Sequence, residues 1–207
     1  MGTLLLKQLG VLFAALLLAG TATAQNQPSV EYSADSIMEH DEGTMKGKVY
    51  VAPGKERREM NSGAEKMVNI TRKDKKVTWL LMAEDKMYME TKHGAAAPSK
   101  DDLSAFKIEQ TVVGKEVMNG VETTKSKIIM TGKDGSKMGG FMWMSKENIM
   151  VKLDAVSIEK GEKNRFKTEL TNIKIGKQDP ALFEIPPGFA KMDMPGMDMD
   201  AIKNMMK

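Results

Sequence analysis

The chain contains no cysteine, and that absence removes disulfide bonds, thiolate chemistry and zinc–sulfur sites together. Aromatic residues make up only 5% of it, and histidine occurs just twice, at His40 and His93, in neither case inside a recognisable motif. There is no Gly-x-Ser-x-Gly elbow, no His-Glu-x-x-His and no glycine-rich loop followed by Lys-Ser/Thr. A binding or carrier protein without a cofactor is therefore expected rather than an enzyme. A strong excess of one charge is missing too: 31 basic and 28 acidic residues are interspersed, with a formal net charge of +3. Nucleic-acid binders gather a basic excess on one face, so that class is set aside. Two short basic runs, Lys55 to Arg58 and Arg72 to Lys76, read as charged hairpin ends, the alternative being contact with anionic lipid head groups.

One uninterrupted apolar run is present, Leu9 to Gly20, with Lys7 before it and Ala22-Thr23-Ala24 after it. That order is a secretory signal cleaved after Ala24. The run is shorter than the roughly 18 to 20 residues of a spanning helix. Cleavage leaves 183 residues carrying a charge of +2, expected in the periplasm. Without a cysteine near the cleavage site there is no diacylated anchor, and a soluble protein is expected. Its length suits one domain, or one domain with a tail, able to bury about 70% of its unfolded surface without staples.

What the mature chain does have is short segments of period-two patterning parted by turn residues, the all-β signal. Val30 to Met38 leads into Thr44 to Val51, where Met45, Val49 and Val51 share a face. Pro53-Gly54, Asn61-Ser62-Gly63 and Lys73-Asp74-Lys75 separate Lys55 to Met60, Glu65 to Arg72 and Val77 to Met82. The segment Val77 to Met82 is apolar on both faces, which predicts a central strand covered twice. Met87-Tyr88-Met89 follows. Ser99-Lys100-Asp101-Asp102 resembles a helix N-cap, predicting a short helix to Phe106 laid on the sheet through Leu103 and Phe106. Strands resume at Lys107 to Met118, with an Asn119-Gly120 hairpin turn into Thr123 to Thr131. Phe141 to Ser145, Ile149 to Ala155 and Phe166 onward complete the set. The inward phase slips between Leu170 and Ile173, predicting a bulge near Thr171-Asn172. About ten or eleven strands in one sheet should curl, creating a concave face for a small or lipidic ligand. Trp79, Leu81, Phe141 and Trp143 are the residues expected to line or underlie it.

Three stretches carry a family resemblance. They are Gly47 to Val51 with Lys66-Met67-Val68, Trp79 to Met82 and Lys86-Met87-Tyr88; Gly139 to Lys152 with its Phe-Met-Trp core; and Lys177 to Phe189 (KQDPALFEIPPGF), the most specific. Here the chain resembles the periplasmic lipoprotein carrier-like (LolA/LolB-like) superfamily, most nearly its DUF4412-type members. The resemblance implies a mainly β, curved antiparallel half-barrel with one or two short helices as a lid over an apolar cavity suited to acyl chains. It also implies transient contact with the envelope membrane or with a lipoprotein. In the third stretch, Asp179-Pro180 should start a helical turn that tucks Leu182 and Phe183 inward, before Pro-Pro-Gly releases the chain from the sheet.

Methionine is the compositional anomaly, with 20 residues. Within strands, as at Met67, Met82, Met87, Met142 and Met144, thioethers fill irregular cores, and a methionine-lined cavity also tolerates varied apolar ligands. The domain plan is a signal over 1–24, a β domain over 25–190 and a methionine-rich tail over 191–207. Met192, Met194, Met197 and Met199 in that tail form a candidate Cu(I) set, since soft thioethers select that ion; the alternative is an unstructured tail. Three functions follow: a periplasmic apolar-ligand or lipid-binding protein first, a Cu(I)-binding protein second, and an envelope interaction module without a small ligand third.

Overall fold

The structure, a computed structural model, describes residues 28–41, 43–62, 65–93, 106–132, 136–159 and 162–192. The signal segment, the predicted lid helix from Ser99 and the tail beyond Met192 lie outside them. Eleven long strands and one short one form a single sheet: β1 (Tyr32–His40), β2 (Gly43–Ala52), β3 (Lys55–Ser62), β4 (Glu65–Arg72), β5 (Val77–Met82), β6 (Met87–Lys92), β7 (Phe106–Met118), β8 (Val121–Gly132), β9 (Lys137–Ser145), β10 (Met150–Glu159), β11 (Glu162–Ile175) and β12 (Ala190–Lys191). The order is β12-β6-β5-β4-β3-β2-β1-β11-β10-β9-β8-β7. Two meanders, β1 to β6 and β7 to β11, are thus joined where β1 pairs with β11. Every neighbour is antiparallel except β12, which lies parallel to β6. The sheet is open and curved, a half-barrel rather than a closed barrel.

Alternation in the sequence sets the two faces. In β1, Tyr32, Ala34, Ser36 and Met38 are buried on one side, while Ser33, Asp35, Ile37 and Glu39 take the other. Cross-strand partners share a face. Following the register from β1 therefore assigns every strand, giving what we term the methionine face and the tryptophan face.

Local chemistry fixes the register. Asn119 and Gly120 both have positive φ, +53° and +78°, as the predicted two-residue hairpin requires. The phase slip in β11 is a real bulge: its pairing with β1 skips between Ser33 and Asp35, and Asn172 adopts a φ of +51°. Gly47 and Gly140 permit close backbone approach. A Cβ on Gly47 would stand 1.7 Å from the Glu59 carbonyl oxygen, and one on Gly140 would stand 2.1 Å from that of Asp154. Both glycines lie on the methionine face, so the sheet is pinched toward that side at two places.

Three details differ from, or complete, the sequence-based picture. β5 is third from one end of the sheet rather than central, and it is covered unequally: Val77, Trp79 and Leu81 are buried, whereas Leu80 and Met82 are half-buried. Phe106, expected to end a helix, opens β7. Among the described residues the helical content is one 3-10 turn, Pro180–Phe183, capped by Asp179, whose Oδ1 accepts from the Ala181 amide at 2.9 Å. That turn matches the sequence expectation, and Phe183 is indeed buried. Among the described residues no helix is long and apolar enough to cross a membrane.

Candidate functional site

All four residues singled out from the sequence fall on the tryptophan face, but in two separate places. Trp79 and Leu81, on β5, belong to a cluster with Val68, Ile70, Val77 and Phe183. Phe183 is 1% exposed. The protein's own C-terminal segment therefore occupies the space above these two residues. Arginines hold the segment down. Arg57 Nη1 donates to the Leu182 carbonyl at 3.1 Å, and Arg72 Nη1 donates to the Phe183 carbonyl at 3.1 Å and to the Glu184 carboxylate. The other side of the Arg72 guanidinium forks onto Asp74 at 2.8 and 2.6 Å. The Asp74 carboxyl is held down to about 2 by that hydrogen bond. Burial pushes the Glu184 carboxyl up, but hydrogen bonds from Lys75 and Arg72 outweigh it and the net shift is downward. The Trp79 indole donates to Glu90 at 3.1 Å, and Lys75 stands 5.4 Å over its ring. Beyond the turn, β12 adds to the free edge of β6, with the Ala190 amide bonded to the Lys86 carbonyl at 2.8 Å.

Phe141 and Trp143 lie on β9, in the other half of the sheet. Trp143 is buried between two ammonium groups, Lys125 at 4.8 Å and Lys152 at 5.0 Å from its ring, and its indole donates to the Glu116 carboxylate. That hydrogen bond from Trp143 is the main cause holding the Glu116 carboxyl below its ordinary range. Phe141 sits 6.2 Å from Trp143 at 55° and is partly exposed. The tip of the β7–β8 hairpin reaches across: Asn119 Nδ2 donates to the Leu170 carbonyl at 2.8 Å and to Glu169 at 2.9 Å.

The register reveals a pattern that the sequence reading missed. On the methionine face, methionines oppose one another strand after strand. Met38 pairs with Met45, Met60 with Met67, Met67 with Met82 and Met82 with Met87. In the other half, Met130 pairs with Met138 and Met144 with Met150. Met38, Met45 and Met60 are buried together, with Met67 and Phe166 packed on them. Met67, Met82, Met87, Met138 and Met142 are only half-buried. The signal was present in the sequence as the strand positions of these methionines. It becomes readable only when the hairpin registers are known.

Other sequence features resolve locally. Both basic runs are engaged by acids: Arg57 meets Glu59 at 2.8 Å, Arg58 meets Glu56, and Arg72 meets Asp74. His93 shares a hydrogen bond with Thr78 at 2.8 Å, and His40 lies on β1 opposite Phe166 and Gly43. Among the described residues no group of three or more His, Asp or Glu is placed to hold a metal ion. Of the candidate Cu(I) set only Met192 is described, with its amide bonded to the Tyr88 carbonyl at 2.8 Å. A cleft of about 330 Å³ lies at the β1–β11 bulge, where Asn172 donates to Asp35 at 2.8 Å and Lys48 stands 3.4 Å from the same carboxylate.

The chain has relatives in both sequence and fold. The model of a domain of unknown function, DUF4412, matches residues 35–155, more than half of the chain. No curated protein matches. An uncharacterized conserved protein from Thermus thermophilus superposes with a TM-score of 0.56 at 13% identity, covering 86% of this chain and 98% of that one, a likeness of fold. The MucA/MucB complex of Pseudomonas aeruginosa gives a TM-score of 0.44 at 15% identity, covering 84% and 67%. The lipoprotein LppX of Mycobacterium tuberculosis gives 0.39 at 13% identity, covering 77% and 94%.

Proposed function

The chain belongs to the DUF4412 family, and we propose that it is an exported, non-enzymatic periplasmic binding protein for an apolar or lipidic ligand held against its methionine face. The observation that carries this reading is the run of opposed methionines. Thioether side chains are flexible and polarisable, so a face built from them adapts to acyl chains of differing length and unsaturation. An open sheet pinched toward that side by Gly47 and Gly140 gives the concavity such a ligand needs. In this reading Trp79, Leu81 and Trp143 serve the ligand from behind, as packed backing that fixes the curvature of the sheet.

Native mass spectrometry of the mature protein isolated from the periplasm tests this. An adduct with the mass of an acyl lipid is expected. A bare protein would count against a resident ligand and favour the interaction module. Copper-mass increments that vanish on deletion of Met192 to Lys207 would replace the lipid reading with the metal one.

A further inference from the structure

We propose that the tryptophan face of β8, β9 and β10 is a docking surface for an anionic lipid bilayer. Four large apolar side chains there, Ile129, Phe141, Val156 and Ile158, are each 38 to 40% exposed. They form one patch. Ile129 and Val156 both oppose Gly139, and Phe141 and Ile158 sit in the rows on either side. Gly139 has no side chain, so nothing at that position stands between Ile129 and Val156.

Cations frame the patch. Lys127 opposes Phe141, Lys137 and Lys163 oppose Ile158, and Arg165 opposes Val156. Arg165 pairs with Asp154 at 3.1 Å. Lys127, Lys137 and Lys163 are exposed and have no acid partner among the described residues. Lys125 already lies 5.0 Å over the Phe141 ring. This is the composition of an interfacial surface: aliphatic and aromatic groups to enter the acyl boundary, with ammonium groups on flexible stems to meet phosphate.

The charge decides between occupants. A second copy of the chain on this patch would set Lys127, Lys137 and Lys163 against their own equivalents, which is repulsive. An acidic bilayer complements them. The surface lies on the side of the sheet opposite the methionine face, so the proposal does not depend on what that face binds.

Co-sedimentation of the mature chain with vesicles of phosphatidylglycerol and phosphatidylcholine, against phosphatidylcholine alone, is the test. Binding is expected only with the anionic lipid, and it should weaken as salt is added. The double variant Phe141→Ser/Ile158→Ser and the triple variant Lys127→Glu/Lys137→Glu/Lys163→Glu should each lower affinity by about 10-fold or more. Neither should alter the cargo seen by native mass spectrometry, which separates failure here from failure of the ligand reading. A Phe141→Trp reporter, quenched by brominated lipid, covers the case in which a multiple variant does not fold. Equal binding to neutral vesicles, unchanged binding by both variants, or no quenching of the reporter would overturn the proposal. So would a dimer in solution that Phe141→Ser dissolves, since it would assign the patch to a second copy.

Discussion

Arg72 ties the C-terminal segment to the sheet by binding a carbonyl and two carboxylates at once, and its side chain is almost wholly buried. Arg72→Ala leaves the Phe183 carbonyl without that donor and the two carboxylates without their shared cation. A loss of about 2 kcal/mol is expected in urea denaturation, below the figure for a fully buried pair because both acids are partly solvated. Phe183→Ala empties the cluster over Trp79 and Leu81 and should cost about 3 to 5 kcal/mol by the same measurement. The Asp74 carboxyl supplies a pH signature. Its folded value, about 2, lies below the ordinary value of 3.8, so the stability it contributes is complete above the higher figure and is lost as pH falls toward the lower. Urea midpoints should therefore drop across that window, and an Asp74→Asn variant should show a smaller drop. Equal slopes in the two proteins would refute the assignment.

Among the elements, the tightest constraint is the β2–β3 pairing at Gly47. A methyl group there collides with the Glu59 backbone, which cannot yield as a side chain would. Gly47→Ala should destabilise by about 3 kcal/mol or more, or displace β3 from β2; altered hydrogen-exchange protection in β3 would distinguish the second outcome. This constraint was not legible in the sequence, where Gly47 stood only as part of a family-like stretch. The strands themselves were legible, because alternation and turn chemistry are local: Glu65–Arg72 and Val77–Met82 were bounded correctly, as were the Asn119-Gly120 turn and the bulge at Asn172. The faces of Trp79 and Trp143 were harder to assign. Both strands are apolar on either side, so only pairing across the sheet decides what each tryptophan meets. The methionine run was hidden for the same reason, since Met60, Met67, Met82 and Met87 become neighbours through three successive registers.

For the molecule as a whole, a face of thioethers implies a characteristic chemical vulnerability. Oxidation by dilute peroxide should reach the half-buried Met67, Met82 and Met87 before the buried Met38, Met45 and Met60, as peptide mass spectrometry can follow. Sulfoxides are polar, so retention of an apolar adduct should fall as the first three convert. Uniform oxidation rates would contradict the described packing. The seam between β1 and β11 has a different kind of consequence, one of timing. Tyr32 and Ile175 are paired there, although 142 residues lie between them. A chain that emerges N-terminus first completes β1 to β6 while one edge of β1 still has no partner, and a closure this non-local is intrinsically slow. The interval before β11 arrives is when this protein is most open to capture by a chaperone, or by an identical chain in the same condition.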